Sequence, residues 1–384
     1  MRRPAGARPR VVIAPDSFKG SLPAKAVALA MAEGLARGWP EALPVLVPMA
    51  DGGEGTLDVL LELGRATCLT RVVTDALGRP AEVRAAILQD LDGPWAVLES
   101  AAVLGLPEAP GSVDVRHSGG LGLLLRGLLR EGHRRFLIAL GGTSIVDGGA
   151  GLLDALGARF LDTEGRVLRP FPRALMHMDR MVLQDFEPLC AQARIVVLTD
   201  VENPLLGPLG AVACYGLQKG IVAEEAADFE EVLTRLSDQY RLAFGRPVAD
   251  CPGGGSAGGL GAALAALGAT LLPGAAEIAE RLGLPETLMG AAWALTGEGR
   301  ADRQTMQGKA PWQVAMLARG RGVPVSLISG VLDPVAHEAL RAHFGTCHGL
   351  SPGPVLSPAE TTLRLIEMTA SVARMRARGL DADT

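Results

Sequence analysis

Val11-Val12-Ile13-Ala14-Pro15-Asp16-Ser17-Phe18-Lys19-Gly20-Ser21 is the stretch from which the fold can be read. Its first four residues are small and apolar, as in a short strand buried on both faces. Pro15-Asp16 ends the run, and Lys19-Gly20 supplies a polar turn. Past Ser21, the apolar residues Val27, Ala30, Met31 and Leu35 fall at helical spacing, so a helix is expected to start near Ser21. The same order of strand, glycine-rich loop and helix returns along the chain. Residues 45–47 lead into Met49-Ala50-Asp51-Gly52-Gly53-Glu54-Gly55-Thr56 and a helix over 57–63. Residues 136–140 lead into Gly141-Gly142-Thr143-Ser144, then Asp147-Gly148-Gly149 and a helix near 152–156. Residues 195–198 lead into Thr199-Asp200-Val201-Glu202-Asn203-Pro204, and 292–295 into Thr296-Gly297-Glu298-Gly299-Arg300. A last apolar run, 323–328, ends at Ser329-Gly330. Strands alternating with helices predict an α/β fold with a parallel or mostly parallel sheet. The final helix has an explicit start, because Ser357-Pro358-Ala359-Glu360 is a capping box with proline at the first helical position. Leu363, Ile366, Ala370 and Ala373 are its expected apolar face. Segments 71–91 and 113–129 show no such loops and no chemistry.

The 384 residues are enough for two α/β domains or one large one. A 48% hydrophobic content excludes a disordered chain, and a net charge of −5 with only two tyrosines argues against a nucleic-acid binder. The 49 glycines follow no Gly-X-Y period, which excludes collagen. The basic N-terminus is not followed by an apolar segment of signal-peptide length. Residues 255–276 are rich in Gly and Ala and broken by Pro273, too weakly hydrophobic for a membrane span. Five scattered cysteines without a C-x-x-C pair fit a reduced, cytoplasmic setting. Of the 37 cations only Lys19, Lys25, Lys219 and Lys309 are lysine, and three of these four adjoin a glycine. In so arginine-rich a chain, a retained lysine points to a compact ammonium wanted at that place.

In open α/β sheets, ligands bind beyond the carboxyl ends of the strands. Those ends here carry Asp16, Asp51, Glu54, Asp147, Asp200, Glu298 and Asp302 between glycines. Glycine lets backbone N–H groups approach an anion, whereas carboxylates repel one. The combination suits a phosphate bridged by Mg²⁺. Ordinary turn chemistry also uses Asp-Gly and Asn-Pro, so any single loop reads equally well as a turn. Gly308-Lys309 fails as a Walker A loop, because Arg303 stands where the first glycine should be. Gly253-Gly254-Gly255-Ser256-Ala257-Gly258 matches both a dinucleotide fingerprint and a nucleophile elbow around Ser256. Both need a strand directly before them, and Asp250-Cys251-Pro252 is not one. An amide-lined turn opening a helix over 260–267, able to hold an anion, is the expectation there. None of the six histidines lies in these loops, and His337-Glu338 is followed by Arg341 rather than a second zinc ligand.

Six collinear segments resemble the bacterial glycerate kinase family. They are Ala14-Pro-Asp-Ser-Phe-Lys-Gly-Ser21; Ala50-Asp-Gly-Gly-Glu-Gly-Thr56; Gly141-Gly-Thr-Ser-Ile-Val-Asp-Gly-Gly-Ala-Gly151; Thr199-Asp-Val-Glu-Asn-Pro-Leu-Leu206 with Gln218-Lys-Gly220; Gly253-Gly-Gly-Ser-Ala-Gly-Gly259; and Thr296-Gly-Glu-Gly-Arg-Ala-Asp-Arg-Gln-Thr305 with Gly308-Lys309. The resemblance implies ATP-dependent phosphorylation of D-glycerate with Mg²⁺, usually to 2-phosphoglycerate. It also implies a Rossmann-like domain built from both chain ends, residues 1–75 and 290–384, with a second α/β domain, 76–289, inserted. A small-molecule enzyme of this kind needs no nucleic-acid or membrane partner, and a homo-oligomer is compatible with it.

On that basis the Asp16 and Glu298 loops are expected to face each other at adjacent strand ends. Asp16, Lys19, Asp200 and Lys309 are the candidate catalytic residues, with the two lysines as point charges on the transferred phosphate. Ser17, Asp51, Glu54, Glu298, Arg300, Asp302 and Gln304 are candidates for binding glycerate, with Arg300 clamping its carboxylate. Gly141, Gly142, Thr143, Ser144, Asp147, Lys219, Gly254, Gly255 and Ser256 are candidates for ATP. Asp200 and Asp147 are candidates for Mg²⁺. Two other classes stay open from the residues alone: an NAD-dependent dehydrogenase using the Gly253 turn, and a non-catalytic metabolite-binding protein.

Overall fold

The computed structural model describes residues 8–90, 92–105, 112–351, 353 and 356–379. These fall into two compact units, one drawn from Met1–Asp51, Asp58–Leu63 and Ala275–Thr384, the other from Gly52–Leu57 and Gly64–Gly274. The crossings therefore lie at residues 51/52, 57/58, 63/64 and 274/275 rather than near 75 and 290. Hydrogen bonding explains the first difference, because strand Ala66–Thr74 pairs along its length with Pro80–Asp90 in the second unit. Packing explains the second, because helix Leu284–Leu288 lies on helix Ala310–Arg319 of the first.

The first unit holds a five-stranded, all-parallel sheet in the order Thr346–Ser351, Val325–Leu332, Trp293–Ala301, Arg10–Ile13, Leu43–Leu46. Numbered along the chain within this unit, the order is the flavodoxin-like 2-1-3-4-5, with its reversal between Arg10–Ile13 and Trp293–Ala301. Val11, Ile13, Trp293 and Leu295 share a core with Val27, Met31 and Leu35 of helix Ala24–Gly38 and with Leu365, Ile366 and Val372 of helix Pro358–Ala377. The two helices touch closely at glycine, where a Cβ on Gly34 would stand 2.5 Å from the Ile366 carbonyl oxygen. The capping box forms as the sequence predicts, with Ser357 and Glu360 exchanging hydrogen bonds. The apolar face is offset, however. Leu363 is exposed, while Leu365 and Val372 are buried, because this helix packs on its neighbour as well as on the sheet.

The expected loop 296–300 is strand instead. Trp293–Ala301 runs straight through it, with Glu298 opposite Ser329 and Arg300 opposite Val331. Glycine inside a strand marks a close backbone approach. A Cβ on Gly297 would meet the Ile328 carbonyl oxygen at 2.2 Å, and one on Gly299 would meet the Lys19 nitrogen at 3.1 Å.

The second unit holds a six-stranded mixed sheet, Thr270–Pro273, Arg194–Thr199, Arg135–Ala139, Gly93–Glu99, Pro80–Asp90, Ala66–Thr74. The first four strands are parallel, and the last two, in the segment that showed no pattern in sequence, form an antiparallel edge. A small antiparallel sheet, Val167–Leu168, Arg159–Leu161, Arg180–Val182, completes it. Among the described residues no helix is long and apolar enough to cross a membrane.

Overpacking against backbone that cannot move costs roughly 1–3 kcal/mol, so Gly297→Ala is expected to lower stability by at least that much. Gly127, in helix Gly119–Arg130, has open space around it, and a Cβ added there would meet nothing within 4 Å. Gly127→Ala is therefore expected to be neutral or to add up to about 1 kcal/mol. Urea denaturation of both variants checks this pair; a Gly297→Ala protein as stable as its parent would show that the strand contact is not tight.

Candidate active site

A reversal of strand order leaves a crevice at the carboxyl ends of the two strands flanking it. In the first unit the loop after Arg10–Ile13 and the far half of Trp293–Ala301 meet there. The Ala14 N–H donates to the Leu295 carbonyl and the Asp16 N–H to the Gly297 carbonyl, each at 2.8 Å, so pairing continues past the end of the strand. Without a side chain at 299 the loop lies directly on the strand. A cavity of about 300 Å³ opens at this place. Its charged lining is Asp16, Lys19, Asp51, Glu298, Arg300 and Lys309.

Three carboxylates and three cations thus share one small space. Lys19 Nζ lies 3.6 Å from Asp51 Oδ2, and Lys309 Nζ lies 3.9 Å from Glu298 Oε2. Asp16 is buried, and burial together with the nearby Asp51 charge pushes its carboxyl well above the usual range; the Ser17 N–H, at 2.6 Å, and Lys19 act against this. Burial likewise pushes Glu298 up to about 7, opposed by a hydrogen bond from Thr305 and by Lys309, and assisted by Asp302 and Asp51. Lys309 sits at the N-cap of helix Ala310–Arg319.

The structure gathers Asp16, Ser17, Lys19, Asp51, Glu298, Arg300 and Lys309 around this cavity. Asp302 and Gln304 are not among its lining residues. Asp302 caps the turn Arg303–Gln307, accepting from the Gln304 N–H at 2.8 Å, and stands 3.6 Å from Arg300 Nε. Glu54 belongs to the second unit, where it is exposed. Lys25 is half-exposed near Glu62, as a solvated helix residue should be. Phe18, Ser21, Val331 and Thr361 also line the cavity. These four carry no chemical signal in the sequence, since each is an apolar or hydroxyl residue without a charge to mark it.

In the second unit, the loop after strand Arg135–Ala139 is built by long-range contacts. The Ser100 hydroxyl bonds to the Gly141 carbonyl, and the neighbouring Glu99 carboxylate accepts from the Gly55 and Leu57 N–H groups at 3.2 and 3.0 Å. Lys219, buried, donates to the Thr143 carbonyl, the Thr143 hydroxyl and the Ile145 carbonyl at 2.8, 3.0 and 3.1 Å. Burial pulls its ammonium down to about 7, with Asp147 opposing and Arg116 assisting. Lys219 is thus a brace for the loop, all three of its N–H bonds being spent. Gly142 and Thr143 keep backbone N–H groups with no acceptor among the described residues, and Gly142 is exposed, with φ at +61°.

Two groups expected to bind ligand in this unit are already engaged by the protein. Asp147 is fully buried, and its oxygens accept from the Ser118 N–H and hydroxyl and from the Gly149 and Gly151 N–H groups. With four donors on its two oxygens, it fastens the loop. The Gly253 turn does not offer amides to an anion either. The N–H groups of Gly254, Gly255 and Ser256 go to the carbonyls of Cys251, Asn203 and Gly253, and the Ser256 hydroxyl is turned inward onto the Gly253 carbonyl at 2.6 Å. No strand precedes this turn, and its 257–259 backbone is left-handed, including Ala257 at φ +50°. A Cβ on Gly258 would stand 2.0 Å from the Ile145 carbonyl oxygen, so the turn is packing beneath the 141–151 loop. With that, neither a dinucleotide nor a nucleophile reading has a structural basis.

Among the described residues no three His, Cys, Asp or Glu side chains form a metal cage. Magnesium does not require one, since it keeps waters and is held by one or two carboxylates plus phosphate oxygens. Asp200, exposed just past strand Arg194–Thr199, fits that donor chemistry.

The Glu298 shift has a definite consequence for stability. Its carboxyl titrates near 4.5 when unfolded and near 7 when folded. In that window the folded chain keeps a proton the unfolded chain has lost, so stability falls as pH rises from about 4.5 to 7. Glu298→Gln is expected to shrink the difference between urea midpoints at pH 5 and pH 8; an unchanged difference would place the titration elsewhere.

Residues 11–376 match the Glycerate kinase family. The chain is similar to a glycerate kinase of Bacillus subtilis (strain 168), with 35% identity over 369 residues covering 94% of this chain and 96% of the relative. It is 36% identical over 327 residues to a glycerate 2-kinase of Escherichia coli (strain K12), covering 84% and 85% of the two chains. Its structure superposes on the crystal structure of a Salmonella typhimurium LT2 protein assigned as glycerate kinase 2, with TM-score 0.82 and 34% identity over 97% of this chain and 98% of that one.

Proposed function

Because the chain belongs to the glycerate kinase family and is thereby a phosphotransferase, we propose that it transfers the γ-phosphoryl group of ATP, with Mg²⁺, to D-glycerate, giving 2-phosphoglycerate. The observation that carries this reading is the cavity at the strand-order reversal, where Arg300, Lys19 and Lys309 stand beside two buried carboxylates, Asp16 and Glu298, whose proton affinity burial raises. A small hydroxy acid needs a cation for its carboxylate and an acceptor for its hydroxyl proton, and a phosphoryl group in transfer needs point charges. Arg300 holds the carboxylate, while Lys19 and Lys309 face the phosphoryl oxygens. Asp16, Ser17 and Asp51 shape the pocket and order its cations. The N–H groups of Gly142 and Thr143, which have no acceptor among the described residues, suit the phosphates of ATP, with Lys219 keeping their loop in shape. Asp200 would hold Mg²⁺, which when bound neutralises phosphate charge. The choice of the 2-position is supported by the name of the E. coli relative.

ADP release from ATP and Mg²⁺ is expected only when D-glycerate is added, and proton NMR of the product is expected to show 2-phosphoglycerate. Absence of glycerate-dependent ADP would overturn the reading. Arg300→Lys is expected to raise KM for glycerate about tenfold with kcat little changed, since an ammonium cannot reproduce a bidentate clamp. An unaltered KM would put the carboxylate elsewhere. Lys309→Ala is expected to lower kcat roughly tenfold or more, read in the same assay at saturating substrates.

A further inference from the structure

Glu298 and Thr305 form a pair that the family motif contains but whose joint chemistry only the structure shows. Thr305 is fully buried. Its hydroxyl oxygen accepts from the Asp302 N–H at 3.1 Å, so its proton is directed to Glu298 Oε1, 2.6 Å away. Oε1 is thereby committed as an acceptor. Any proton that Glu298 takes up must go on Oε2, the oxygen that stands 3.9 Å from Lys309 Nζ. Arg300 lies two residues further on the same strand, hence on the same face and about 6.6 Å along it. Both side chains line the same cavity, where a small hydroxy acid fits between them. With its carboxylate on Arg300, the C2 hydroxyl on the adjacent carbon can turn toward Glu298.

We propose that Glu298, through Oε2, is the general base that takes the proton of the attacking glycerate hydroxyl, and that Thr305 is the positioning residue that reserves Oε2 for it. This rests on the kinase reading above. In the step, the hydroxyl oxygen of glycerate bonds to the γ-phosphorus. The bond from that phosphorus to its bridging oxygen breaks, and the electron pair leaves with ADP. The hydroxyl proton passes to Oε2. As Oε2 becomes neutral, the Lys309 ammonium loses its carboxylate partner and turns its charge to the transferred phosphoryl group. The charged groups around Glu298 are Asp302 and Asp51, which hold its proton on, and Lys309, which helps it leave; Asp16, itself pushed up by the Glu298 charge, lines the same cavity with Lys19 and Arg300. Because Glu298 must be ionised to act and titrates near 7, activity should rise through neutral pH.

The test is the pH profile of kcat/KM for D-glycerate in the intact enzyme, measured as ADP release. The parent is expected to show an acid limb near neutrality. Glu298→Gln is expected to lose about a hundredfold or more in kcat. Thr305→Val removes a hydrogen bond that favours the ionised carboxylate, so its acid limb is expected to move to higher pH, with KM for ATP unchanged. Thr305→Ser restores the hydroxyl and is expected to return the limb to its place. A Glu298→Gln enzyme retaining more than about a tenth of kcat would remove Glu298 as base. A limb unmoved in Thr305→Val, or moved equally in both threonine variants, would overturn the positioning role. An active parent separates each of these outcomes from failure of the kinase reading, in which the parent itself shows no glycerate-dependent ADP.

Discussion

Two missing side chains set the constraint on which the first unit's site depends. At Gly297 bare backbone lets the neighbouring strand come within a distance that a Cβ would forbid, and at Gly299 it lets the Phe18–Lys19 backbone come closer than a Cβ would fit without the loop giving way. Strand alternation then sends Glu298 and Arg300 to one face, and the contact brings Asp16 and Lys19 beside them. The sheet order places this meeting at its reversal, where an open α/β sheet has its natural crevice. Packing, pairing register and topology thus converge on one small pocket.

The electrostatics of that pocket follow from its burial. Carboxylates taken out of water hold their protons more tightly, and neighbouring like charges add to the effect. Asp16 and Glu298 feel both. Such a cluster is costly to stability above neutral pH and useful to a reaction that must move a proton. Lys219 shows the converse in the second unit. Its burial depresses the ammonium, yet three carbonyl and hydroxyl oxygens engage it, so the charge serves the shape of a loop.

Much of this was legible in the sequence, for a physical reason. A strand buried on both faces must be an apolar run, and a ligand-binding strand end must be a glycine-rich polar loop. That contrast exposed all six charged residues of the cavity, each inside a quoted motif. What was not legible depends on distant partners. The stretch 296–301 reads as loop because glycine has low strand propensity, but pairing with Val325–Leu332 overrides it. Asp147 has the look of a ligand in sequence, but Ser118, 29 positions away, fills it. The amides of Gly254 and Gly255 look available because their acceptors, on Cys251 and Asn203, are set by the fold of the turn. Glu99 and Ser100 carry no signal, for they act only through loops brought to them by other strands.

The most direct measurement of the central claim is a crystal structure of the enzyme with D-glycerate and ADP. The account predicts glycerate in the cavity of the first unit, its carboxylate on the Arg300 guanidinium and a hydroxyl within hydrogen-bond reach of Glu298 Oε2. Glycerate bound instead at the Gly142 and Thr143 loop, with the Arg300 cavity left to other groups, would contradict it.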